Sequence, residues 1–166
     1  MGGADSGPLT QAERETVGAI ATYQFGPDVA TYLLETLQFT EISRSRSGRI
    51  DRLYTADGRV ATLTTHGRFT LGLAGARALH AATDPPAYRV VLDDEAVPFV
   101  VDGSNAFAKF VIRVDPRIRP RDEVLLVDGT DTLLAVGRAS LSASAMTAFD
   151  RGMAVSVRHA RGESSE

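Results

Sequence analysis

The sequence predicts an α+β fold in which an N-terminal α/β lead-in domain precedes a small mixed β-barrel. Helical segments with recognisable start signals open the chain, and many short strands follow at spacings of about 8–12 residues. A Pro-Pro pair at Pro85 and Pro86 interrupts the chain near its middle. The 166 residues are 43% hydrophobic and 23% charged, which is typical of globular proteins. Two small domains can therefore each bury a core.

The first helix is predicted to begin after Thr10, and residues 1–9 before it are expected to be a flexible leader. The stretch from Thr10 to Glu13 fits a capping box, in which each residue's side chain bonds the other's backbone N–H. Apolar residues then recur at helical spacing until Gly26-Pro27 ends the helix. Asp28 is expected to cap a second helix.

After Thr40 the pattern changes to alternating strands, followed by an alanine-rich helix over residues 73–81. Asp57-Gly58 supplies a hairpin turn because glycine adopts positive φ without steric cost. Residues 83–86 are predicted to be a linker, which gives a first domain over residues 10–86. Four strands are predicted, over residues 41–47, 49–55, 59–65 and 69–71.

The second half is predicted to be mostly β-structure, with a domain over residues 87–160 and a flexible tail over 161–166. A short helix after the acidic cap Asp93-Asp94 is expected, since Pro98 disfavours a central strand there. Another helix is predicted over residues 142–149. Five strands are predicted, over residues 88–92, 106–114, 123–127, 132–139 and 153–158.

Catalytic, metal and cofactor sites are not expected. The chain has no cysteine, which excludes disulfides, thiolate nucleophiles and Cys-ligated zinc. His66 and His80 are isolated, and no Ser–His–Asp set can be argued. The longest apolar runs are too short for a membrane span, and no signal peptide is recognised. A cytoplasmic location is therefore expected.

The charge balance restricts any nucleic-acid site to a local patch. The formal net charge is −3, whereas domains that bind nucleic acid over a broad surface are usually basic. The 18 basic residues are arginines except for Lys109. A lysine suits a phosphate as a compact point charge. A solvated position on a strand is the alternative interpretation of Lys109.

From about residue 88 to residue 159 the chain resembles a PUA domain, the RNA-binding module of pseudouridine synthases and archaeosine transglycosylases. The earlier segments Tyr-Gln-Phe-Gly (23–26) and Ser-Arg-Ser-Gly-Arg-Ile (45–50) resemble the domain before PUA in archaeal tRNA-guanine transglycosylase. The stretches that carry the PUA resemblance are residues 102–111, 118–124, 134–139 and 149–155.

The resemblance implies a PUA-type pseudobarrel that binds the acceptor stem and 3′ end of tRNA without catalysing a reaction. The catalytic barrel of the transglycosylases is not in this sequence. An accessory role in tRNA modification such as archaeosine formation follows, with a separate tRNA-guanine transglycosylase or archaeosine synthase as a possible partner. DNA and membranes are not expected as partners. The alternatives are a protein–protein docking module for such an enzyme, which the net charge favours, and an enzyme on this scaffold.

Five candidate RNA-binding residues follow from what the resemblance implies about PUA domains. Gly103, Ser104 and Asn105 form the loop where backbone amides can meet phosphate or ribose, and an ordinary turn is the alternative. Arg158 and His159 lie at the strand edge that the family uses with this loop to hold the 3′ end. A charged C-terminal tail is the alternative for this pair.

Further candidates come from the residues themselves. In a regular strand Phe107 and Phe110 face opposite sides, so one is free to stack a base, unless a bulge places both in the core. Arg44 and Arg46 share a face if they lie on one strand, and a solvated strand face is the alternative. The arginines over residues 113–121 suit phosphate, but interleaved carboxylates also favour local salt bridges.

Overall fold

The computed structural model describes residues 8–162, which form two compact units, one up to Thr83 and one from Asp84. The flexible leader expected over residues 1–9 and the tail expected over 161–166 therefore lie largely outside the described residues. Within residues 8–162, no helix is both long and apolar enough to cross a membrane.

The first unit is a four-stranded antiparallel sheet with helices before and after it. The predicted capping box is confirmed: the Thr10 hydroxyl accepts from the Glu13 N–H at 3.1 Å, and the Glu13 carboxylate accepts from the Thr10 N–H at 2.9 Å. A π-helical turn, Tyr32–Thr36, follows the second helix. The regular elements are α1 (Gln11–Phe25), α2 (Pro27–Thr31), β1 (Glu41–Arg44), β2 (Ile50–Thr55), β3 (Gly58–Leu63), β4 (Phe69–Leu71) and α3 (Leu73–Ala82).

Two local predictions in this unit are wrong. The second helix begins at Pro27, and its N-cap is Gly26 rather than Asp28. Proline suits the first position of a helix because the N–H at that position makes no hydrogen bond within the helix, so its absence costs nothing. Strand β1 ends at Arg44, so Arg44 and Arg46 do not share a strand face. Arg46 lies instead in a tight turn that Gly48 closes with φ of +83°.

The sheet has the strand order β1-β2-β3-β4, and its paired residues form one buried face and one polar face. The polar row runs Ser43, Arg52, Thr62 and Thr70. The opposite row is buried and runs Ile42, Leu53, Ala61 and Leu71. Helix α3 approaches β3 closely, since a Cβ on Gly75 would lie 1.9 Å from the Val60 carbonyl oxygen. Glycine is therefore required at this contact.

The second unit is a six-stranded, nearly closed mixed sheet in the order β6-β10-β9-β8-β5-β7. Strands β5 and β8 are parallel, and every other pair is antiparallel. The predicted α+β fold with a small mixed β-barrel is confirmed. Its elements are β5 (Arg89–Leu92), α4 (Val97–Val101), β6 (Ala106–Phe107), β7 (Val111–Val114), β8 (Glu123–Val127), β9 (Leu133–Ala139), α5 (Ala143–Ala148) and β10 (Met153–Ala160).

The segment predicted as one strand over residues 106–114 is broken by a 3₁₀ turn, Ala108–Phe110. The alternation argument for Phe107 and Phe110 therefore does not hold. Phe107 is nevertheless 46% exposed, while Phe110 packs partly against the core. Helix α4 also begins later than expected, with Ala96 rather than the Asp93-Asp94 pair at its N-cap.

Candidate nucleic-acid interface

Gly103, Ser104 and Asn105, hereafter the glycine loop, connect α4 to β6 and are fastened to β10. Gly103 has φ of +102°, a conformation that favours glycine. The Ser104 N–H donates to the Phe99 carbonyl at 3.0 Å. The Asn105 side-chain oxygen accepts from the Val157 N–H at 2.9 Å. The loop is thus held in one conformation, with Ser104 and Asn105 exposed to solvent.

Phe107 and Lys109 follow directly on the same edge of the sheet. Phe107 pairs with Met153 of β10 and exposes 46% of its surface, enough to offer a ring to a base. Lys109 is exposed, and its Nζ lies 4.9 Å from the centroid of the Phe110 ring. This cation–π contact orients the ammonium group without neutralising its charge.

Two more exposed aromatic rings of this unit were not among the residues predicted from sequence. Phe99 on α4 is 66% exposed, and Phe149 at the end of α5 is 52% exposed. Phe99 adjoins the glycine loop through its carbonyl, which accepts from Ser104. The sequence offers little signal for Phe99, because it directly precedes the buried Val100 and successive residues of a helix lie only about 100° apart.

Arg158 is committed to an internal ion pair. Its two terminal nitrogens donate to the two carboxylate oxygens of Glu123 at 2.5 and 2.8 Å. Glu123 is only 4% exposed, so the pair is largely shielded from water. His159 is half-buried and also has an interaction partner. The strand edge predicted to hold RNA therefore does not offer Arg158 as a free cation.

Arg44 is likewise paired, in the first unit. Its Nε and Nη2 donate to the two oxygens of Glu13 at 2.7 and 2.8 Å. This pairing, together with the hydrogen bond from the Thr10 N–H, holds the pKa of Glu13 down at about 2 against the opposing effect of burial. Arg46 is exposed in its turn. Arg44 therefore fastens β1 to α1, and only Arg46 of the two is presented to solvent.

Two family models match the chain in succession. Residues 88–161 match the PUA domain, and residues 15–86 match the patch-forming domain C2 of tRNA-guanine transglycosylase. This chain contains a PUA domain, preceded by a C2-type patch-forming domain. The tRNA-guanine(15) transglycosylase of Pyrococcus abyssi is 42% identical over 143 residues, which are 86% of this chain and 24% of that enzyme. The match lies in the C-terminal region of such enzymes, so the PUA-domain protein spans about a quarter of their length.

Solved structures share the fold of this PUA-domain protein. A hypothetical protein from Pyrococcus horikoshii is 23% identical, with a TM-score of 0.70, and the match covers 93% of each chain. A conserved PUA domain protein from Thermoplasma acidophilum is 22% identical, with a TM-score of 0.56, over 74% of this chain and 76% of that one. Because both identities are below 25%, these similarities show a shared fold and no more.

The arginine-rich loop of the PUA domain does not contain the local salt bridges that its sequence allowed. Asp115 accepts from the backbone N–H groups of Tyr88 and Arg117 at 2.8 and 3.0 Å, and Asp122 accepts from that of Arg119 at 2.9 Å. Carboxylates here bind backbone groups. Within the described part of the chain, no ion pair forms at the guanidinium groups of Arg113, Arg117, Arg119 and Arg121.

A cleft of about 750 Å³ opens beside β7 of the PUA domain, over Val91 and Val127. Its size suits a small ligand, but its buried polar groups are occupied: Arg89 pairs with Asp131 at 2.9 Å, and Asp128 accepts from the hydroxyl and N–H of Thr130. Across residues 8–162, no group of three or more acidic or histidine side chains is placed to hold a metal ion.

Proposed function

We propose that this PUA-domain protein is a non-catalytic RNA-binding protein that holds the acceptor stem and 3′ end of tRNA. Its role would be accessory to a tRNA modification such as archaeosine formation in the cytoplasm. The observation that carries the proposal is the match of the chain, at 42% identity, to the C-terminal region of a tRNA-guanine(15) transglycosylase. The chain corresponds to 24% of that enzyme. A separate transglycosylase or archaeosine synthase is the enzyme partner that this proposal includes.

The glycine loop and the neighbouring edge supply what an unpaired RNA end requires. Exposed bases of single-stranded RNA are bound by stacking on aromatic rings and by hydrogen bonds to their edges. Phe107 offers the ring, Ser104 and Asn105 offer polar groups, and Lys109 offers a charge for phosphate. The phosphate contacts set the register, and contacts to the last bases select an unpaired end.

One carboxylate opposes this interaction. Asp102 is exposed and immediately precedes Gly103, so it repels phosphate at the loop. The Gly103 and Ser104 N–H groups already donate to the Val100 and Phe99 carbonyls, so the loop contributes through the exposed side chains of Ser104 and Asn105. Because these groups and the Phe107 ring bind without a charge of their own, binding does not depend on a uniformly positive surface. We therefore expect moderate affinity with a salt dependence set by few contacts, with log K falling by about 0.7–0.9 per phosphate neutralised for each unit of log salt.

The test is tRNA binding by the full chain at several salt concentrations, with intact tRNA and tRNA lacking its three 3′-terminal nucleotides. Phe107→Ala and Lys109→Ala are each expected to weaken binding of intact tRNA about fivefold or more. Both variants should bind the truncated tRNA as wild type does. Arg77→Ala, an exposed arginine on α3, is the control and should change neither. Equal binding of the two tRNAs by wild type would refute recognition of the 3′ end.

The net charge of −3 favours a second candidate, a docking module for a tRNA-modifying enzyme with little RNA contact of its own. The same titration separates the two. If the protein fails to bind tRNA at low salt but co-purifies with a transglycosylase supplied as a separate chain, docking is the function. A modification product formed by the purified chain alone would instead show an enzyme.

A further inference from the structure

A free guanidinium lies on the outer face of the barrel, one strand away from the glycine loop. Glu123, Arg138 and Ser156 are in register across β8, β9 and β10, so their side chains share a face. Arg138 is exposed, and within residues 8–162 its side chain has no hydrogen bond or ion pair. Arg158, on the same face, is bound through both terminal nitrogens to Glu123.

We infer that Arg138, rather than Arg158, is the phosphate-binding arginine of this face. A guanidinium binds phosphate best when both parallel N–H groups are available. Both N–H groups of Arg138 are free within the described residues. For Arg158 to bind phosphate, its ion pair with Glu123 would have to break, which would leave the 4% exposed Glu123 carboxylate buried without a partner. The ion pair also removes the repulsion that a bare Glu123 would exert on a phosphate at Arg138.

Arg138 is placed where an RNA strand bound at the glycine loop could reach it. Asn105 is bonded to the Val157 N–H, and Val157 lies between Ser156 and Arg158 on β10. The loop and Arg138 are thus on either side of one strand, about 10 Å apart at roughly 4.8 Å per strand. Resting on the proposed function, this lets one RNA strand cross β10, with one of its phosphates at the loop, another at Arg138 and the Ser156 hydroxyl between them.

The charges around Arg138 favour an anion. Arg121 is exposed, and its N–H donates at 2.7 Å to the carbonyl of Ala139, the residue after Arg138. Asp122, whose carbonyl accepts from the Ala139 N–H, directs its carboxylate to the Arg119 backbone. The backbone of a second, exposed arginine is therefore adjacent, and the carboxylates of Asp122 and Glu123 are engaged in a hydrogen bond and an ion pair.

The test compares Arg138→Ala with Arg77→Ala, an exposed arginine on α3 of the first unit that has no ion pair within the described residues. Arg138→Ala is expected to weaken tRNA binding about five- to tenfold at low salt and to lower the slope of log K against log salt by about 1. Arg77→Ala should leave both unchanged. Arg138→Lys should restore the slope while recovering only part of the affinity, because lysine keeps the charge but not the planar pair of donors.

Two results would overturn the inference: wild-type affinity in Arg138→Ala, or equal losses in Arg138→Ala and Arg77→Ala, which would indicate unspecific attraction. Both presuppose that wild type binds tRNA. If wild type does not bind at low salt, the proposed function itself fails, and this outcome is distinct from the other two. Circular dichroism melts of each variant verify that the substituted proteins are folded.

Discussion

Replacing Glu13 by Gln is expected to destabilise the first unit in a pH-dependent way. The Arg44 ion pair and the capping bonds lower the pKa of Glu13 from 4.5 to about 2, and both side chains are only 13–15% exposed. At about 1.36 kcal/mol per pKa unit, this shift corresponds to about 3 kcal/mol of stabilisation. Glutamine keeps an oxygen for the Thr10 N–H but cannot form the ion pair, so about 2–3 kcal/mol should be lost at pH 7.

The sign of the pH dependence follows from the direction of the shift. A carboxylate with a lowered pKa stabilises the fold fully above its unfolded pKa and loses this effect as the pH falls toward the folded value. Urea unfolding of wild type and Glu13→Gln should therefore differ most at pH 6–7 and converge between about pH 5 and pH 2. Glu15→Gln, an exposed position on the same helix, is the matched control. The reasoning would be refuted if both variants lost the same free energy of unfolding relative to wild type, or if the loss in Glu13→Gln stayed constant from pH 7 to pH 3.

Two further substitutions test the second unit. Gly137→Ala should destabilise the barrel by about 3 kcal/mol or more in urea unfolding, because a Cβ there would lie 2.2 Å from the Ser156 carbonyl oxygen and force β9 and β10 apart; Gly129→Ala, where a Cβ meets open space, should cost far less. Asp102→Asn should tighten tRNA binding about two- to threefold at low salt and have no effect at high salt, because it removes an exposed negative charge beside the glycine loop; unchanged affinity at low salt would contradict the placement of phosphate there.

Features set by neighbouring residues could be predicted from the sequence. The capping box of α1 needs only Thr10 and Glu13, three residues apart, and both of its bonds are present. The Asp57-Gly58 turn joins β2 to β3, with Gly58 at φ of +118°. In each case the chemistry is complete within one turn of chain, so no knowledge of the tertiary fold is required.

The side-chain pairings that decide which arginines are free could not be predicted in the same way. Arg44 pairs with Glu13 across 31 positions, and Arg158 pairs with Glu123 across 35. Nothing local distinguishes them from Arg138, which has the same side chain but no partner within the described residues. The 3₁₀ turn at Ala108–Phe110 was missed because its residues also suit a strand, and the fold overrode that preference.

The net charge of −3 is therefore a poor guide to the field at the proposed interface. The ion pairs of Glu123 with Arg158 and of Asp131 with Arg89 each contribute zero to this total and little to the local field, so the −3 arises from the other charged residues of the chain. A bound phosphate responds to charges within about one Debye length, roughly 8–10 Å, and more strongly to those not already paired. On β9 the unpaired charge is that of Arg138. The salt dependence of binding should consequently report how many free cations the RNA touches, and it should have the sign expected for a basic site on an acidic protein.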